Sequence, residues 1–296
     1  MKGIHGRLLN FSSDGKYLVL TLDNIIKVLH IANGNIWRYL EGYSDSISLA
    51  AFSSDSTRLV STSHDKTVKI WDAYRCTAQR DLYSHRDFIT RMKFSSGGRK
   101  LASASKGNTI RIWDTTTGRP LQILQGPGAH ADLLVFSSDD SQLAFVSDDE
   151  SIDVLTVGTK ATQTLKGHKG HVHLVTFSHD NIQLASASKD QTVKIWNASA
   201  DECFILSNAV ALIVFSQDQT RLALASRDKT VTFFEVTSNR HEQIKKLYSS
   251  HITLIGFSLD GYQLISSSEE KTVKVLDVAT DQCQIERASA IAVYLV

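Results

Sequence analysis

The sequence predicts an all-β fold assembled from seven copies of one unit, and three observations predict it. A Phe-Ser pair recurs at Phe11, Phe52, Phe94, Phe136, Phe177, Phe215 and Phe257, at intervals of 41, 42, 42, 41, 38 and 42 residues. A second string, Thr67-Val-Lys-Ile-Trp-Asp72, alternates polar and apolar residues at the period of two that a strand requires, polar outward and apolar inward. No segment sustains the 3.6-residue apolar spacing of a helix.

Each unit reads as four short strands. The first ends in the Phe-Ser pair, and a polar turn follows, such as Ser13-Asp-Gly-Lys16, Ser54-Asp-Ser-Thr57 or His179-Asp-Asn-Ile182. The second is a small-residue strand, Leu101-Ala-Ser-Ala-Ser105 and again Leu184-Ala-Ser-Ala-Ser188. The third is the Thr67–Asp72 string, which returns at 109–114, 192–197, 230–235 and 272–277 and survives at 25–30 and 151–156. Room remains for a fourth, as in Gln122-Ile-Leu or Gln163-Thr-Leu-Lys.

A period near 41 residues carrying four strands is that of propeller blades, because one four-stranded sheet cannot bury both of its faces alone. The expectation is a seven-bladed β-propeller, four antiparallel strands per blade, forming a single domain over 1–296. Its blades fall at about 1–40, 41–83, 84–125, 126–166, 167–206, 207–248 and 249–288, with 289–296 as an extra strand. That last piece, Ala290-Ile-Ala-Val-Tyr-Leu-Val296, reads like the first strand of an eighth copy, so a cut or decayed array is expected, with the strand pairing at an edge.

The Trp-Asp ending of the third strand, the Asp six residues before the Trp (Asp65, Asp190) and the pair Gly167-His168 resemble the WD-repeat family over essentially residues 5–288. That resemblance implies a buried hydrogen-bonded network of His, Asp, hydroxyl and Trp in each blade. It places His168, Asp190 and Trp196 together in the fifth copy, with Ser186 or Ser188 as the hydroxyl. The second copy offers Tyr43, Asp65 and Trp71, and the third His85 and Trp113 with Gly107 where the Asp would be. The other copies put Leu29, Leu155, Phe234 and Leu276 at the Trp position while keeping Asp23, Asp149, Asp228 and Glu270, so apolar burial is expected to hold those blades. The near-identical wording of the copies is similar to the repeat arrays of fungal heterokaryon-incompatibility receptors of the NACHT type. Their nucleoside-triphosphatase activity is not carried over, since no Gly-x-x-x-x-Gly-Lys-Ser/Thr phosphate loop occurs here.

Lys plus Arg number 32 against 31 Asp plus Glu, and the net charge of +1 offers no overall pull toward nucleic acid or anionic lipid. The longest apolar runs, 209–215 and 290–296, fall far short of the ~18 residues of a membrane-spanning helix. Three widely spaced cysteines, Cys76, Cys203 and Cys283, fit reduced thiols at loops or strand edges. A soluble, intracellular, cytoplasmic protein is expected, a monomeric propeller within a larger complex.

Chemistry is sparse. His168, His171 and His173 form the densest histidine cluster, and alternate residues on a strand share a face, so a zinc site is one reading; but the repeat already assigns His168 a structural place, the other two lead into a first strand, and no metal or cofactor is expected. Two Ser-x-x-Lys matches, Ser103 to Lys106 and Ser186 to Lys189, lie on a strand and its turn, where a penicillin-binding nucleophile would need a helix. The expectation is a non-catalytic scaffold or adaptor for other proteins. The alternatives are an adaptor of organelle-division or ubiquitin-ligase complexes and, in another class, a propeller hydrolase with a central-channel site.

Recognition is expected where loops vary on a repeating scaffold. The residue before the turn Asp position reads Leu22, His64, Lys106, Asp148, Lys189, Arg227 and Glu269, a largely cationic series. The loops leading into the first strands add Tyr43, Asp45, Arg86, Asp87, Phe88 and His171, among them the aromatic and Arg types that anchor interfaces. An acidic or phosphorylated peptide across the Lys189 and Arg227 side is the specific expectation, against the alternative of ordinary solvated charges.

Overall fold

The computed structural model describes residues 7–287 apart from 76, 84, 126–130, 132, 148, 198–199, 208–209, 219, 237–239, 247, 259, 271, 279 and 281. Asp148, Cys76 and the extra strand at 289–296 lie outside the described residues. Those residues hold strands and turns and no helix, and so no helix long and apolar enough to cross a membrane. The strands form seven four-stranded antiparallel sheets, each connected in chain order, over 7–40, 47–83, 89–125, 134–165, 172–207, 210–246 and 252–287. Repeated four-stranded meanders of this kind fit propeller blades.

The chain divides into two compact units, Met1–Thr164 with sheets 1 to 4 and Leu165–Val296 with sheets 5 to 7. Within each, sheets pack face to face, and the repeat wording explains how. Val60, Val68 and Ile70 of sheet 2 meet Phe94, Leu101 and Trp113 of sheet 3. Ala102, Ala104, Ile110 and Ile112 of sheet 3 meet Phe136, Leu143 and Leu155 of sheet 4. In the second unit, Ala185, Ala187, Val193 and Ile195 of sheet 5 meet Leu222 and Phe234 of sheet 6. The Phe of the Phe-Ser pair, the leucine opening the second strand and the Trp, Leu or Phe of the third strand thus form one face, which fills against the small and β-branched residues of the sheet before it.

This packing corrects the expectation of an outward polar face on the third strand. Lys69 and Lys194 are only 8% and 7% exposed. Lys69 shares a strand face with Trp71, lies over the Tyr43 ring and pairs with Asp81 of the fourth strand at 2.8 Å. A polar-out pattern belongs to a sheet with one wet face. Here the inner strands are covered on both.

The first strand carries a recurring irregularity. Its pairing with the second strand shifts register between Ile47 and Leu49, between Val172 and Leu174, between Val210 and Leu212 and between Ile252 and Leu254. A bulge re-aims the extra side chain. In sheet 5 that residue is His173, whose Nε2 lies 3.0 Å from the Val210 carbonyl of the next sheet.

Candidate functional site

The turns between second and third strands are built by their aspartates. In sheet 5 Asp190 Oδ1 accepts the Thr192 N–H at 2.9 Å and the Thr192 hydroxyl at 2.6 Å, while Oδ2 accepts the Lys169 N–H at 2.8 Å. The following Gln191 takes a left-handed φ of 68°, as Lys66 and Lys229 do in their turns. Partial burial pushes the Asp190 carboxyl up, but these hydrogen bonds and that from His168 outweigh it and hold the group well below the ordinary carboxylate range.

Behind the turn the polar network runs inward. The Trp196 indole N–H donates to Ser186 Oγ at 2.8 Å, Ser186 Oγ lies 2.8 Å from His168 Nε2, and His168 Nδ1 lies 3.0 Å from Asp190 Oδ2. Burial, helped by the nearby Lys194 and His173, holds the His168 pKa below the ordinary histidine value although Asp190 pulls it up. A neutral imidazole with its proton on Nδ1 satisfies all three contacts. Ser186 is the hydroxyl of this chain; Ser188 instead donates to the Gly170 carbonyl at 2.6 Å and accepts the Asp190 N–H.

Sheet 3 lacks the aspartate and substitutes a hydroxyl. His85 Nε2 lies 2.7 Å from Ser103 Oγ, Trp113 donates to the same oxygen at 3.0 Å, and His85 Nδ1 meets Thr109 Oγ1 at 2.6 Å. Burial, helped by the nearby Arg111 charge, pushes the His85 pKa down to about 4. In sheet 2 the Tyr43 hydroxyl bonds the Ser61 carbonyl and hydroxyl at 2.7 and 2.6 Å, Trp71 donates to Ser61 Oγ, and Asp65 caps the lead-in through the Ser44 N–H. Tyr43 is only 4% exposed, so it is removed from the surface-contact set: its ring fills the network position instead.

Two features escaped the sequence reading. Tyr248 in sheet 7 bonds the Ser266 carbonyl at 2.6 Å, with Glu270 accepting the Ser249 N–H at 3.0 Å. The separation of 18 residues, common to Tyr43 and Ser61, His85 and Ser103, and His168 and Ser186, was there to find it. The serine of each Phe-Ser pair is likewise a turn residue: Ser53 Oγ donates to Asp55 at 2.6 Å and accepts the Arg58 N–H at 3.0 Å, and Ser178 repeats this with Asp180 and Gln183.

The surface candidates sit at the opposite end of each sheet from that serine. The residue before the turn Asp is tied to the lead-in loop by backbone hydrogen bonds, His64 to Ser46, Lys106 to Phe88, Lys189 to His171 and Glu269 to His251, at 2.9 to 3.1 Å. Lys106, Lys189, Arg227 and Glu269 are exposed. The charged ends of Lys106, Lys189 and Arg227 have no hydrogen bond or ion pair among the described residues. In the first unit His64 and Phe88 come together across sheets 2 and 3, ring centroids 5.1 Å apart, with Lys66 Nζ 6.0 Å from the Phe88 ring centre. Phe88 stays 40% exposed. Asp45 and Asp87 are engaged locally, each accepting the N–H of the next residue, at 2.6 and 2.7 Å. Arg86 is exposed and His171 half-buried. Among the described residues no group of three or more His, Cys, Asp or Glu is placed to hold a metal ion.

Fold and network together define an all-β protein of repeated four-stranded sheets, and three of its segments match WD repeats. Residues 34–72, 76–114 and 159–197 match the family model described as WD domain, G-beta repeat, and these segments end on the Trp71, Trp113 and Trp196 strands. A 65-residue stretch, 22% of this chain, is 37% identical to an uncharacterized WD repeat-containing protein of Synechocystis sp., and spans 19% of that protein.

Proposed function

We propose that the chain is a non-catalytic scaffold that holds other proteins, a single seven-bladed propeller over 1–296 presenting contacts at its second-to-third-strand turns. The observation that carries this reading is the set of exposed cations Lys106, Lys189 and Arg227, without a side-chain partner among the described residues and each directly before a second-to-third-strand turn, with Lys106 and Lys189 also tied by backbone hydrogen bonds to their lead-in loops. WD repeats mediate protein interaction in general, which supports the class. Lys189 and Arg227 stand on turns whose aspartates are already satisfied within their own sheets, Asp190 by Thr192 and Asp228 by Thr230, and Lys106 stands on a turn that has Gly107 at that place. Among the described residues nothing else answers these charges, which suits them to an external anion. An acidic or phosphorylated peptide is the ligand these groups suit: in the second unit it lies across Lys189 and Arg227, flanked by His171 and with Glu269 setting its register by repulsion, and in the first unit Lys106 offers an equivalent contact beside His64, Arg86 and Phe88, with Asp45 and Asp87 as the repelling groups.

The test is the triple reversal Lys106→Glu, Lys189→Glu and Arg227→Glu, assayed for capture of glutamate-rich and phosphoserine peptides by the folded chain. Loss of capture at unchanged thermal stability is expected. Undiminished capture would dispose of the proposal.

A further inference from the structure

We propose a second ligand site at the other end of the sheets in the first unit: a pocket for the C-terminal residue of a partner peptide, carrying an apolar side chain. A cavity of about 310 Å³ opens where the first strands of sheets 1 to 3 end. This lies at the small end of the range of roughly 300–1,000 Å³ for ligand pockets, room for about one or two residues.

Its lining has three parts. Phe52, Phe94 and Phe136 with Met92 and Ala51 supply apolar surface. Lys93 and Asn10 supply donors, and neither side chain has a hydrogen bond or ion pair among the described residues. Ser13 and Ser54 supply hydroxyl oxygens whose protons are directed to the carbonyls of Ser53 and Ser96, at 3.5 and 2.7 Å. Their lone pairs remain to accept an N–H.

A ligand matching all three presents an apolar body, a single negative charge and an amide N–H. A chain-terminal residue has this combination in one place: its carboxylate suits Lys93 and Asn10, its N–H a serine oxygen, and its side chain the phenylalanine floor. One ammonium is a point charge suited to a monoanion. A phosphate dianion would ask for more donors than the lining has to spare, since Lys93 is the only ionisable residue among those lining the cavity.

The experiment is fluorescence polarisation of labelled Gly-Ser-Gly-Leu with a free C-terminal carboxylate on the whole chain. The same peptide as its C-terminal amide is the comparison, and inorganic phosphate and 4-methylpentanoate are competitors. Saturable binding of the acid is expected, with the amide and Lys93→Gln each weaker by roughly tenfold or more, the loss of one charge-assisted contact. Lys93→Arg should stay within a few-fold of the parent. Ala51→Glu, which fills the floor and repels the carboxylate, should abolish binding, with circular-dichroism melts confirming that the variants fold. Equal binding of acid and amide, indifference to Lys93→Gln, or absence of saturation at millimolar acid peptide overturns the proposal. Competition by phosphate or 4-methylpentanoate as strong as by the unlabelled peptide would reassign the cavity to simple anions and equally overturn it. The triple reversal at Lys106, Lys189 and Arg227 should leave this binding intact, so the two sites stand or fall separately.

Discussion

The Trp196 indole nitrogen lies 2.8 Å from Ser186 Oγ, and the same Trp-to-Ser contact recurs from Trp71 to Ser61 at 2.7 Å and from Trp113 to Ser103 at 3.0 Å. The serine is the fixed member of the network, while the group on its other side changes between histidine and tyrosine. Ser186→Ala would strand the Trp196 N–H and the His168 Nε2 lone pair inside a packed face. An unsatisfied buried group costs about 1–3 kcal/mol, so a loss of about 2–4 kcal/mol is expected in urea unfolding. A loss below about 0.5 kcal/mol would show that the two groups find other partners.

His85 makes stability depend on pH. Its folded pKa is about 4, below the ordinary histidine value near 6.5. The unfolded chain therefore takes up a proton between those values while the folded chain does not, and stability falls as pH drops from about 6.5 toward 4. Burial of His168 acts in the same direction. His85→Tyr places at position 85 the group that Tyr43 presents to Ser61. That variant should melt at a similar temperature at pH 7 and lose less between pH 7 and pH 5 than the parent. An equal acid loss in both proteins would move the titration elsewhere.

Where leucine or phenylalanine replaces the tryptophan, the indole hydrogen bond to the second-strand serine is missing and burial of the substitute side chain takes its place. Leu29, Leu155, Phe234 and Leu276 are at most 3% exposed. Phe234→Ala should cost about 3–5 kcal/mol, as large-to-small changes in packed cores do. Phe11→Ala, at a position 54% exposed, should cost under about 1 kcal/mol. Chemical denaturation of the two variants side by side decides, and a cost for Phe234→Ala no greater than for Phe11→Ala would refute the packing account.

How far the sequence could be read depended on whether a feature was local to one repeat. The four-strand unit and the Phe234 and Leu155 substitutions were legible because each position repeats at a constant offset. Tyr43 was read both as a network member and as a surface contact because its lead-in position reads as loop, and the 18-residue link to Ser61 decides for the network. Lys69 was read as outward because alternation names two faces without saying whether the second is wet. The Lys93 cavity was invisible in the sequence, since it is bounded by strand ends about 40 residues apart.

The turn after the first strand offers a sharper test, because sheet 3 breaks its own rule. In sheets 2 and 5 the serine of the Phe-Ser pair donates to an aspartate two residues on, Asp55 or Asp180. Sheet 3 has Gly97 at that place, and Asp140 of sheet 4 reaches across instead, accepting the Ser96 and Gly97 N–H groups at 2.8 and 3.2 Å. A Cβ on Gly97 would stand 3.0 Å from an Asp140 carboxylate oxygen. Gly97→Asp therefore restores the repeat's wording yet sets two carboxylates against each other, and should destabilise by about 1–2 kcal/mol, more at pH 7 than at pH 3. Asp140→Asn in the same chain removes one charge, and asparagine tolerates the left-handed φ of 61° found there. The double variant should regain at least half the loss in a double-mutant cycle. Strict additivity of the two changes would mean that repulsion is not the cause and that the tight Cβ contact alone excludes the aspartate.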